Sequence, residues 1–478
     1  MNTRELVIRI KGFLKEFKRY KIGIVGLILL GVFSFVAICA PLLAPYEAYK
    51  HWNDQAYWED LPPAVPPVWV NYFSSKKAAT QYEVENPEFQ YNSFKGAHVA
   101  VIEYDFKYDI PPKDILVKLK TKVLSKPSIV TIEVERPDQR TILIYSSPSY
   151  EPYYGGQELK LFLSGDMISR SYLIEFAKEY ETEENINAVR GREMTLDVIK
   201  ILFSKAEPGI ILGKAPPLKG TYKFKITIPS KESEEILYFK IVFKGAVYGL
   251  LGTATLKRTA VGRDLFIGIV WGTRLALLIG LSVAVISTIV GVLYGVVSAY
   301  VGGWVDEIMQ RIQEIIASIP LLPILLILSY LFKPTVWHLV SLMVIFFWTG
   351  PVKTVRSMAL QIKEQPYVEA AKALGASNKR IIVRYVMPQI IPYMFASVAL
   401  GVPSAILTEA GVSFLLGAET ATEPTWGMIL SDAHLAGASI SGYWWWILTP
   451  GLLLTLTGLT FVFIGYALDR ILSPTLKK

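Results

Sequence analysis

The chain has 478 residues, of which 52% are hydrophobic and 19% charged, against roughly 25% charged residues in ordinary soluble domains. This composition excludes a disordered chain and favours membrane spans, and a single cysteine, Cys39, excludes a disulfide within the chain. Residues 47–247 hold 26 basic and 28 acidic side chains. The net charge of +8 therefore comes from the apolar remainder, which favours a membrane surface over nucleic acid as its partner.

Six apolar stretches are long enough to cross a bilayer, which takes about 20 helical residues. They are residues 22–46, a part of 275–305, 315–332, 334–352, 388–407 with its continuation, and a part of 435–468. The sequence therefore predicts an α-helical membrane protein with six transmembrane helices. Residues 1–21 place apolar side chains at helical spacing among lysines, which predicts either an amphipathic helix on the membrane surface or a basic flank that orients the first span.

The charges between the spans predict their orientation. Residues 1–21 and residues 353–387 each carry seven basic side chains, whereas residues 415–443 carry none. Because basic residues are enriched in short cytoplasmic loops, both termini and the loop at 353–392 are expected in the cytoplasm of a multi-pass cell-membrane protein. Residues 47–247 are then expected outside, and their lysines do not contradict this, because long domains are translocated largely regardless of charge.

Residues 47–247 have the pattern of a folded, β-rich extracytoplasmic domain inserted between the first two spans. Alternation of apolar and polar residues predicts strands, periodic apolar residues predict a little helix, and about 200 residues suffice for a hydrophobic core. Residues 47–80, rich in Pro, Trp and Tyr, are expected to form an irregular lead-in. The strands are predicted at 97–106, 115–124, 129–136, 222–228 and 235–243, and the helices at 172–180 and 195–205.

Motifs for catalysis or nucleotide binding are weak in this sequence. The segment most similar to a phosphate-binding loop is Gly209–Lys214, which has three residues between its glycines instead of four. Ala215 follows it where Ser or Thr is needed. The chain is therefore not expected to be an enzyme, and any uphill transport would be driven by an ion gradient or by another subunit.

The most informative segment is the loop at 367–392, between the fourth and fifth predicted spans. Residues 368–374 predict a short helix with several alanines, which Gly375 ends, as glycine commonly does past a helix C-terminus. A second helix is expected from about residue 378 to Pro388. The small alanines would let the first helix lie close in a groove of another protein.

Here the sequence resembles a known family. Glu369-Ala370-Ala371, followed after three residues by Gly375, matches the EAA loop of ATP-binding cassette importer permeases. Further motifs resemble the dipeptide/oligopeptide permease group, C-type subunit, over residues 1–46 loosely and 248–478 almost continuously. These motifs are Gly262-Arg263-Asp264, Gly302–Asp306, Ala405–Phe414 and Pro424–Gly427. The family's short first outer loop is replaced here by the insertion.

The resemblance implies the rest of the machine. This chain and a second permease subunit would form a heterodimer, two cytoplasmic ATPases would bind ATP and magnesium, and an extracellular binding protein would deliver the substrate. No cofactor is expected in this chain. The coupling helix, docked in an ATPase groove, would contain Glu369, Ala370, Ala371 and Gly375, and nucleotide-driven closure would reorient the spans. The implied domains are residues 1–21, 22–46, 47–247 and 248–478, the last with the EAA loop at 353–392.

The expected function is the import of peptides, and the alternative is the same machinery carrying oligosaccharides. Two other classes compete with it. A gradient-driven secondary transporter is expected to have an inverted repeat and ionisable residues at mid-membrane, and neither is clear in the sequence. A membrane receptor would need a cytoplasmic signalling domain, for which only a short tail follows the sixth span.

Two further sites carry open alternatives. If the fifth span begins near Tyr393, Glu409 lies about 24 Å along it, in the outer part of the membrane. It would either belong to the translocation path or gate, or make a structural hydrogen bond to a neighbouring helix. Residues 262–264 are expected in a structural turn rather than at a substrate contact. Aromatic residues at 52–73 are candidate contacts for the binding protein, the alternative being an insertion that caps the helices passively.

Overall fold

The computed structural model describes residues 17, 19–121, 129–147, 158–233, 236–256, 261–332, 335–416 and 423–472. The chain divides into two compact units: a helical unit, residues 1–53 and 265–478, and a β unit, residues 54–264. The β unit extends further towards the C-terminus than the predicted boundary at 247, because the described residues of 248–256 and 261–264 pair with each other and with its loops. The predicted amphipathic segment at 1–21 lies almost wholly outside the described residues.

The first helices of the chain are α1 (Lys21–Ile38), α2 (Ala40–Leu43) and α3 (Tyr46–Lys50). The predicted first span at 22–46 is therefore interrupted after Ile38. Cys39 ends α1, and a proline follows at the start of α2, where its missing N–H costs nothing. Much of the apolar surface of α1 is exposed, as expected of a helix that contacts lipid or another span.

The β unit begins with α4 (Gln55–Trp58) and α5 (Val70–Phe73), so the lead-in that was expected to be irregular contains short helices. Ion pairs fasten this segment to the strands that follow. The ammonium of Lys118 lies 2.7 Å from Glu59 and 2.6 Å from Asp60, and that of Lys240 lies 3.0 Å from Asp60. The lead-in is therefore an integral part of the β unit.

Two antiparallel sheets form most of the β unit. The first contains, in spatial order, β1 (Tyr82–Glu85), β9 (Ile236–Lys244), β4 (Asp114–Thr121) and β7 (Leu159–Phe162). The second contains β2 (Gln90–Asn92), β3 (Ala97–Phe106), β8 (Gly220–Pro229), β5 (Thr131–Glu135) and β6 (Thr141–Ser146). The five predicted strands are confirmed, as β3, β4, β5, β8 and β9, although 122–128 and 234–235 are outside the described residues.

The core of the β unit lies between the two sheets, because the alternating apolar residues of both point inwards. Tyr104 of β3 stacks on Phe243 of β9 with ring centroids 4.1 Å apart. Three helices complete the core: α6 (Met167–Glu179), α7 (Glu183–Val189) and α8 (Val198–Leu202). The predicted helices at 172–180 and 195–205 correspond to α6 and α8.

The two ends of the β unit lie together. A short hairpin pairs β10 (Thr253–Thr255) with β11 (Gly262–Asp264). The N–H of Gly262 donates to the carbonyl of Leu61 at 3.2 Å, and the N–H of Thr253 donates to that of Val65 at 2.9 Å. The segment that enters the β unit is thus hydrogen-bonded to the segment that leaves it.

The C-terminal part of the helical unit is a succession of helices. They are α9 (Leu265–Val301), α10 (Gly303–Ser318), α11 (Leu321–Phe332), α12 (Val336–Phe347), α13 (Thr349–Lys363), α14 (Pro366–Ala373), α15 (Asn378–Ile381), a π-helical turn (Ile382–Val386), α16 (Met387–Leu416), α17 (Trp426–Leu435) and α18 (Trp444–Leu472). In the described part of the chain, five stretches are long and apolar enough to cross a membrane, or six if α10 and the first part of α11 form one broken span.

The predicted third span at 315–332 contains a sharp bend in the structure. Its residues belong to α10 and α11, which are bent by 70° relative to each other. Pro320 lies at the break, and the preceding Ile319 has extended backbone geometry. Proline disfavours the helical conformation of the residue before it and cannot donate a backbone hydrogen bond, so the break is encoded locally.

Helix α9 is the centre of the helical unit and contacts α1, α12, α13, α16 and α17. Glycines permit the closest of these approaches. A Cβ atom on Gly291 would lie 2.3 Å from the carbonyl oxygen of Trp348, and one on Gly268 would lie 2.4 Å from the ring of Trp52. With 37 residues, α9 is about 55 Å long, more than a bilayer core requires.

Candidate functional site

The EAA loop consists of two short helices joined at a glycine. Helix α14 spans residues 366–373, close to the predicted 368–374. Gly375 follows with φ of +81°, a left-handed conformation that favours glycine, so the prediction that the helix ends there is confirmed. Four of the five predicted site residues, Glu369, Ala370, Ala371 and Gly375, lie within about two turns of chain on this loop.

Helix α14 has one buried face and one exposed face. Val368 and Ala371 are buried, and Val368 packs in a cluster with residues of α9, α13 and α16. Glu369, Ala370 and Gly375 are exposed. Leu374, at the end of the helix, is 87% exposed although it is apolar. Leu374 therefore adds apolar surface to the exposed, alanine-rich face of α14.

The loop continues without interruption into α16, so the prediction that its second helix ends at Pro388 is wrong. Between α15 and α16 the chain makes a π-helical turn, residues 382–386. Pro388 has no N–H for the carbonyl of Arg384, and a wider turn lets the helix continue past that missing bond. π-turns occur frequently at functional sites, and this one joins the EAA loop to an apolar helix that can cross the membrane.

An ion pair ties α10 to α13 beside this loop. The Arg356 guanidinium makes two bonds to the Asp306 carboxylate, from Nε to Oδ1 at 2.8 Å and from Nη2 to Oδ2 at 2.6 Å. Ser298 of α9 also donates its hydroxyl to Asp306. Asp306 is the last residue of the motif at 302–306. Its carboxylate binds the Arg356 guanidinium, which gives the acidic residue at this position a structural role. The sequence alone gave no sign of this pairing, because 50 residues separate the two side chains.

Glu409 is placed apart from the EAA loop, 22 residues or about 33 Å along α16 from Met387. Its side chain is 2% exposed. It accepts hydrogen bonds from the hydroxyl of Ser413 at 2.7 Å and from Thr425. Thr425 caps α17, and a Cβ on Gly427 would lie 2.5 Å from Ala410 of α16. Glu409 therefore sits in a tightly packed junction between α16 and α17.

Residues 262–264 form strand β11 instead of the predicted turn. Gly262 is the reason for the close packing there, because a Cβ atom on it would lie 1.8 Å from the carbonyl oxygen of Pro62. Arg263 is buried. The arrangement is structural, as the sequence indicated, although its backbone geometry differs.

The aromatic residues at 52–73 divide into two groups. Trp52 and Trp58 are buried and belong to the hydrophobic interior of their respective units. Tyr72 and Phe73 of α5 are more than four-fifths exposed. Tyr57 and Trp69 are exposed to a lesser degree, at 43% and 37%, so Tyr72 and Phe73 offer the largest aromatic surface for contact with another molecule.

Comparison with known families agrees with this architecture. Residues 287–478 match the sequence model of the family described as binding-protein-dependent transport system inner membrane component. Residues 9–63 match the model described as N-terminal TM domain of oligopeptide transport permease C. Both matches lie mainly in the helical unit.

Individual permease proteins are similar to slightly less than half of this chain. The dipeptide transport system permease protein DppC of Bacillus subtilis (strain 168) is 34% identical over 218 residues, which cover 46% of this chain and 68% of that protein. The oligopeptide transport system permease protein OppC of the same strain is 32% identical, over 46% and 70%. The OppC protein of Haemophilus influenzae is 35% identical, over 45% and 68%. The chain therefore belongs to the inner membrane components of binding-protein-dependent transport systems, in the C-type group of dipeptide and oligopeptide permeases.

Proposed function

We propose that this chain is one of two permease subunits in an ATP-driven importer that receives peptides from an extracellular binding protein. The observation that carries the proposal is the two-faced helix α14, buried against α9 and α13 on one side and exposed on the other. The names of the relatives, which are dipeptide and oligopeptide permeases, favour peptides over oligosaccharides as the cargo.

The exposed face of α14 docks in a groove of a cytoplasmic ATPase, which binds ATP and magnesium. Ala370 and Ala373 let the helix backbone approach the partner, and Leu374 supplies an apolar contact at its tip. The buried face rests on α9 and α13, so a displacement of α14 acts directly on α9, which can cross the membrane, and on the end of the membrane-spanning stretch at 336–363. ATP hydrolysis is thereby coupled to the path without any catalytic residue in this chain.

The orientation follows from the charges. The EAA loop and the residues beside it carry a basic cluster, which favours the cytoplasmic side. Its members are Lys353, Arg356, Lys363, Lys372, Lys379, Arg380 and Arg384. Both termini are then cytoplasmic and the β unit is extracytoplasmic. Modification of single cysteines at Leu374 and Phe94 by a membrane-impermeant maleimide, in intact cells and in inverted vesicles, tests this directly.

Glu409 acts as a gate element by holding α17 against α16. The hydrogen bond with Thr425 fixes the capped start of α17, whereas the bond from Ser413 lies within α16. The packing of Gly427 on Ala410 leaves little room for α17 to shift independently. In this proposal Glu409 shapes the outer end of the path and does not line it.

The exposed aromatic residues of the β unit are the proposed contact for the binding protein. Tyr72 and Phe73 are exposed on α5, and Val68, two residues before this helix, packs against a small apolar cluster. Large, exposed aromatic side chains are enriched at protein interfaces.

The docking proposal is tested with Leu374→Asp. The complex is isolated through a tag on this chain, and the amount of bound ATPase is measured together with uptake of a labelled tetrapeptide. We expect Leu374→Asp to reduce both at least tenfold, because it places a charge in an apolar groove. Ser377→Asp is the matched control, since it adds the same charge three residues away at the N-cap of α15, where aspartate is tolerated. Equal ATPase recovery from the two variants would contradict the proposal, as would uptake of a labelled oligosaccharide but no peptide.

A further inference from the structure

One hydrogen bond ties the end of α9 to the EAA loop. Tyr300 is the penultimate residue of α9, and its side chain is largely buried. Its hydroxyl donates to Oδ1 of Asn378 at 2.9 Å. Asn378 is the first residue of α15, immediately after the turn at Gly375. The loop is thus attached to α9 by a directional bond that is separate from its covalent connection to α16.

Two lysines gather around the same tyrosine. Lys363, the last residue of α13, donates from Nζ to the carbonyls of Tyr300 at 3.0 Å and Ala299 at 3.4 Å. It thereby satisfies carbonyls that the C-terminus of a helix leaves without partners. Its ammonium also lies 5.5 Å from the centre of the Tyr300 ring, and that of Lys372 on α14 lies 6.0 Å away. Segments from α9, α13 and the loop therefore converge on one side chain.

Apart from the hydrogen bond that Gln389 of α16 donates to the hydroxyl of Tyr367, the other inward contacts described for the loop are apolar. Val368 and Ile381 pack against residues of α9 and α13 such as Val296 and Val355. Apolar contacts have no preferred direction and tolerate sliding, whereas a hydrogen bond weakens steeply when its angle or length changes. A displacement of the loop can slip along the apolar surface, but it must either carry Tyr300 with it or break the bond to Asn378.

The geometry points to Tyr300 as a positioning residue for transport: its bond to Asn378 makes the end of α9 follow the EAA loop when the ATPases move it. This inference rests on the proposed function, because it takes the loop to be the part that the ATPases displace. Its new content is the route. Movement reaches α9 laterally through Tyr300, in addition to passing along the chain through the π-turn into α16.

The test uses the complete complex, purified through a tag on this chain, with Cys39→Ala and a nitroxide attached at Leu281→Cys. Leu281 is an exposed apolar position of α9, 19 residues or about 29 Å from Tyr300. The electron paramagnetic resonance spectrum is recorded with and without ATP and vanadate, so that no transported substrate is required. We expect the parent complex to change its spectrum on trapping, because α9 moves with the ATPases.

Tyr300→Phe removes the hydroxyl and keeps the ring with its packing. A single hydrogen bond of ordinary strength corresponds to a factor of about 3 to 10 in an equilibrium. We therefore expect a 3- to 10-fold smaller fraction of the trapped spectrum at equal ATPase recovery. Tyr294→Phe is the matched control, because Tyr294 lies on the same helix and donates its hydroxyl to the carbonyl of Met309 at 2.7 Å, away from the loop. It should behave as the parent does.

Substitutions at Asn378 identify the partner. Asn378→Asp keeps an acceptor oxygen and should retain the parent response, whereas Asn378→Ala should reproduce Tyr300→Phe. The combination of Tyr300→Phe with Asn378→Ala should be no worse than either change alone, since both remove one interaction. A purely structural role of either residue would give additive losses of ATPase recovery instead.

Each other outcome overturns the inference. A Tyr300→Phe response equal to that of Tyr294→Phe would show that the bond transmits no movement. A loss of bound ATPase in proportion to the spectral change would show that Tyr300 has only a structural role. A parent complex whose α9 spectrum does not respond to trapping also overturns it. The Leu374→Asp variant distinguishes a failure of the proposed function from a failure of this inference. Full ATPase recovery with Leu374→Asp would contradict the docking of the loop. Loss of ATPase from Leu374→Asp, together with a parent-like spectral change in Tyr300→Phe, would contradict only the role of Tyr300.

Discussion

We expect Lys244→Met to stabilise the β unit at neutral pH. Lys244 is the last residue of β9 and is fully buried. Its ammonium has no hydrogen-bond partner among the described residues and lies 4.6 Å from the centre of the Phe162 ring. Asp114, opposite it on β4, is already engaged by the N–H groups of Ile115 and Ser164 and by the Ser164 hydroxyl.

Burial lowers the pKa of Lys244 from 10.5 to about 8, and the attraction of Asp114, Asp60 and Glu59 offsets only part of that effect. Below pH 8 both the folded and the unfolded chain carry the proton, and the folded state bears a penalty of about 3 kcal/mol. Between pH 8 and 10.5 the unfolded chain holds a proton that the folded chain has lost. The free energy of unfolding therefore rises with pH, by about 2 kcal/mol from pH 7 to 9.5.

The measurement is urea denaturation of residues 54–264, expressed alone and followed by circular dichroism at pH 7 and 9.5. The domain should be soluble and β-rich. At pH 7 the free energy of unfolding of Lys244→Met should be about 3 kcal/mol higher than that of the parent, and it should be almost the same at pH 9.5 as at pH 7. Lys225→Met is the control, since that lysine is partly exposed on β8 and pairs with Glu133 at 3.4 Å. A Lys244→Met domain that is less stable than the parent, or whose stability still rises with pH, would refute the reasoning.

Three further changes have defined outcomes. Gly375→Pro and Glu369→Lys should leave the chain inserted but abolish peptide uptake, because proline cannot adopt the positive φ of Gly375 and the lysine reverses the charge on the exposed face of α14; substrate-stimulated ATP hydrolysis at the parent rate would contradict this. Glu409→Gln keeps an acceptor oxygen for Ser413, so assembly should persist while the rate of uptake changes, and unchanged uptake would make Glu409 purely structural. Gly262→Ala should lower the free energy of unfolding of the β unit by about 2–3 kcal/mol in the same urea assay, because its Cβ meets a backbone oxygen; a loss below about 0.5 kcal/mol would show that the backbone relaxes.

The elements that could be predicted are those whose residues show a clear pattern within a short stretch of chain. Strand β8 contains the predicted 222–228 because apolar and polar residues alternate strictly there. Gly375 was predictable for the same reason, since a glycine after an alanine-rich helix has one common role. Short strands such as β7, with four residues, carry too little periodicity to be recognised.

The contacts that define the candidate site could not be predicted, because they join distant parts of the chain. Nothing in the sequence around Tyr300 indicates that its hydroxyl meets a residue 78 positions later. The hydrogen-bond partners of Glu409 also depend on tertiary structure, since Thr425 reaches its side chain only because α17 packs against α16. The size of the bend at Pro320 could not be predicted, because a purely apolar window does not distinguish a straight helix from a broken one.

The hydrogen bond between Gly262 and Leu61 has a consequence for chain entropy. Spans on either side of an unfolded segment of roughly 200 residues would be joined by a long flexible loop, and closing it costs about 3 kcal/mol more than closing a loop of about 10 residues. Because the folded β unit brings its entry and exit segments together, the helices before and after it are connected as if by a short loop. Loss of the fold in the β unit therefore weakens the association of α1 with α9 even if no residue of either helix is altered.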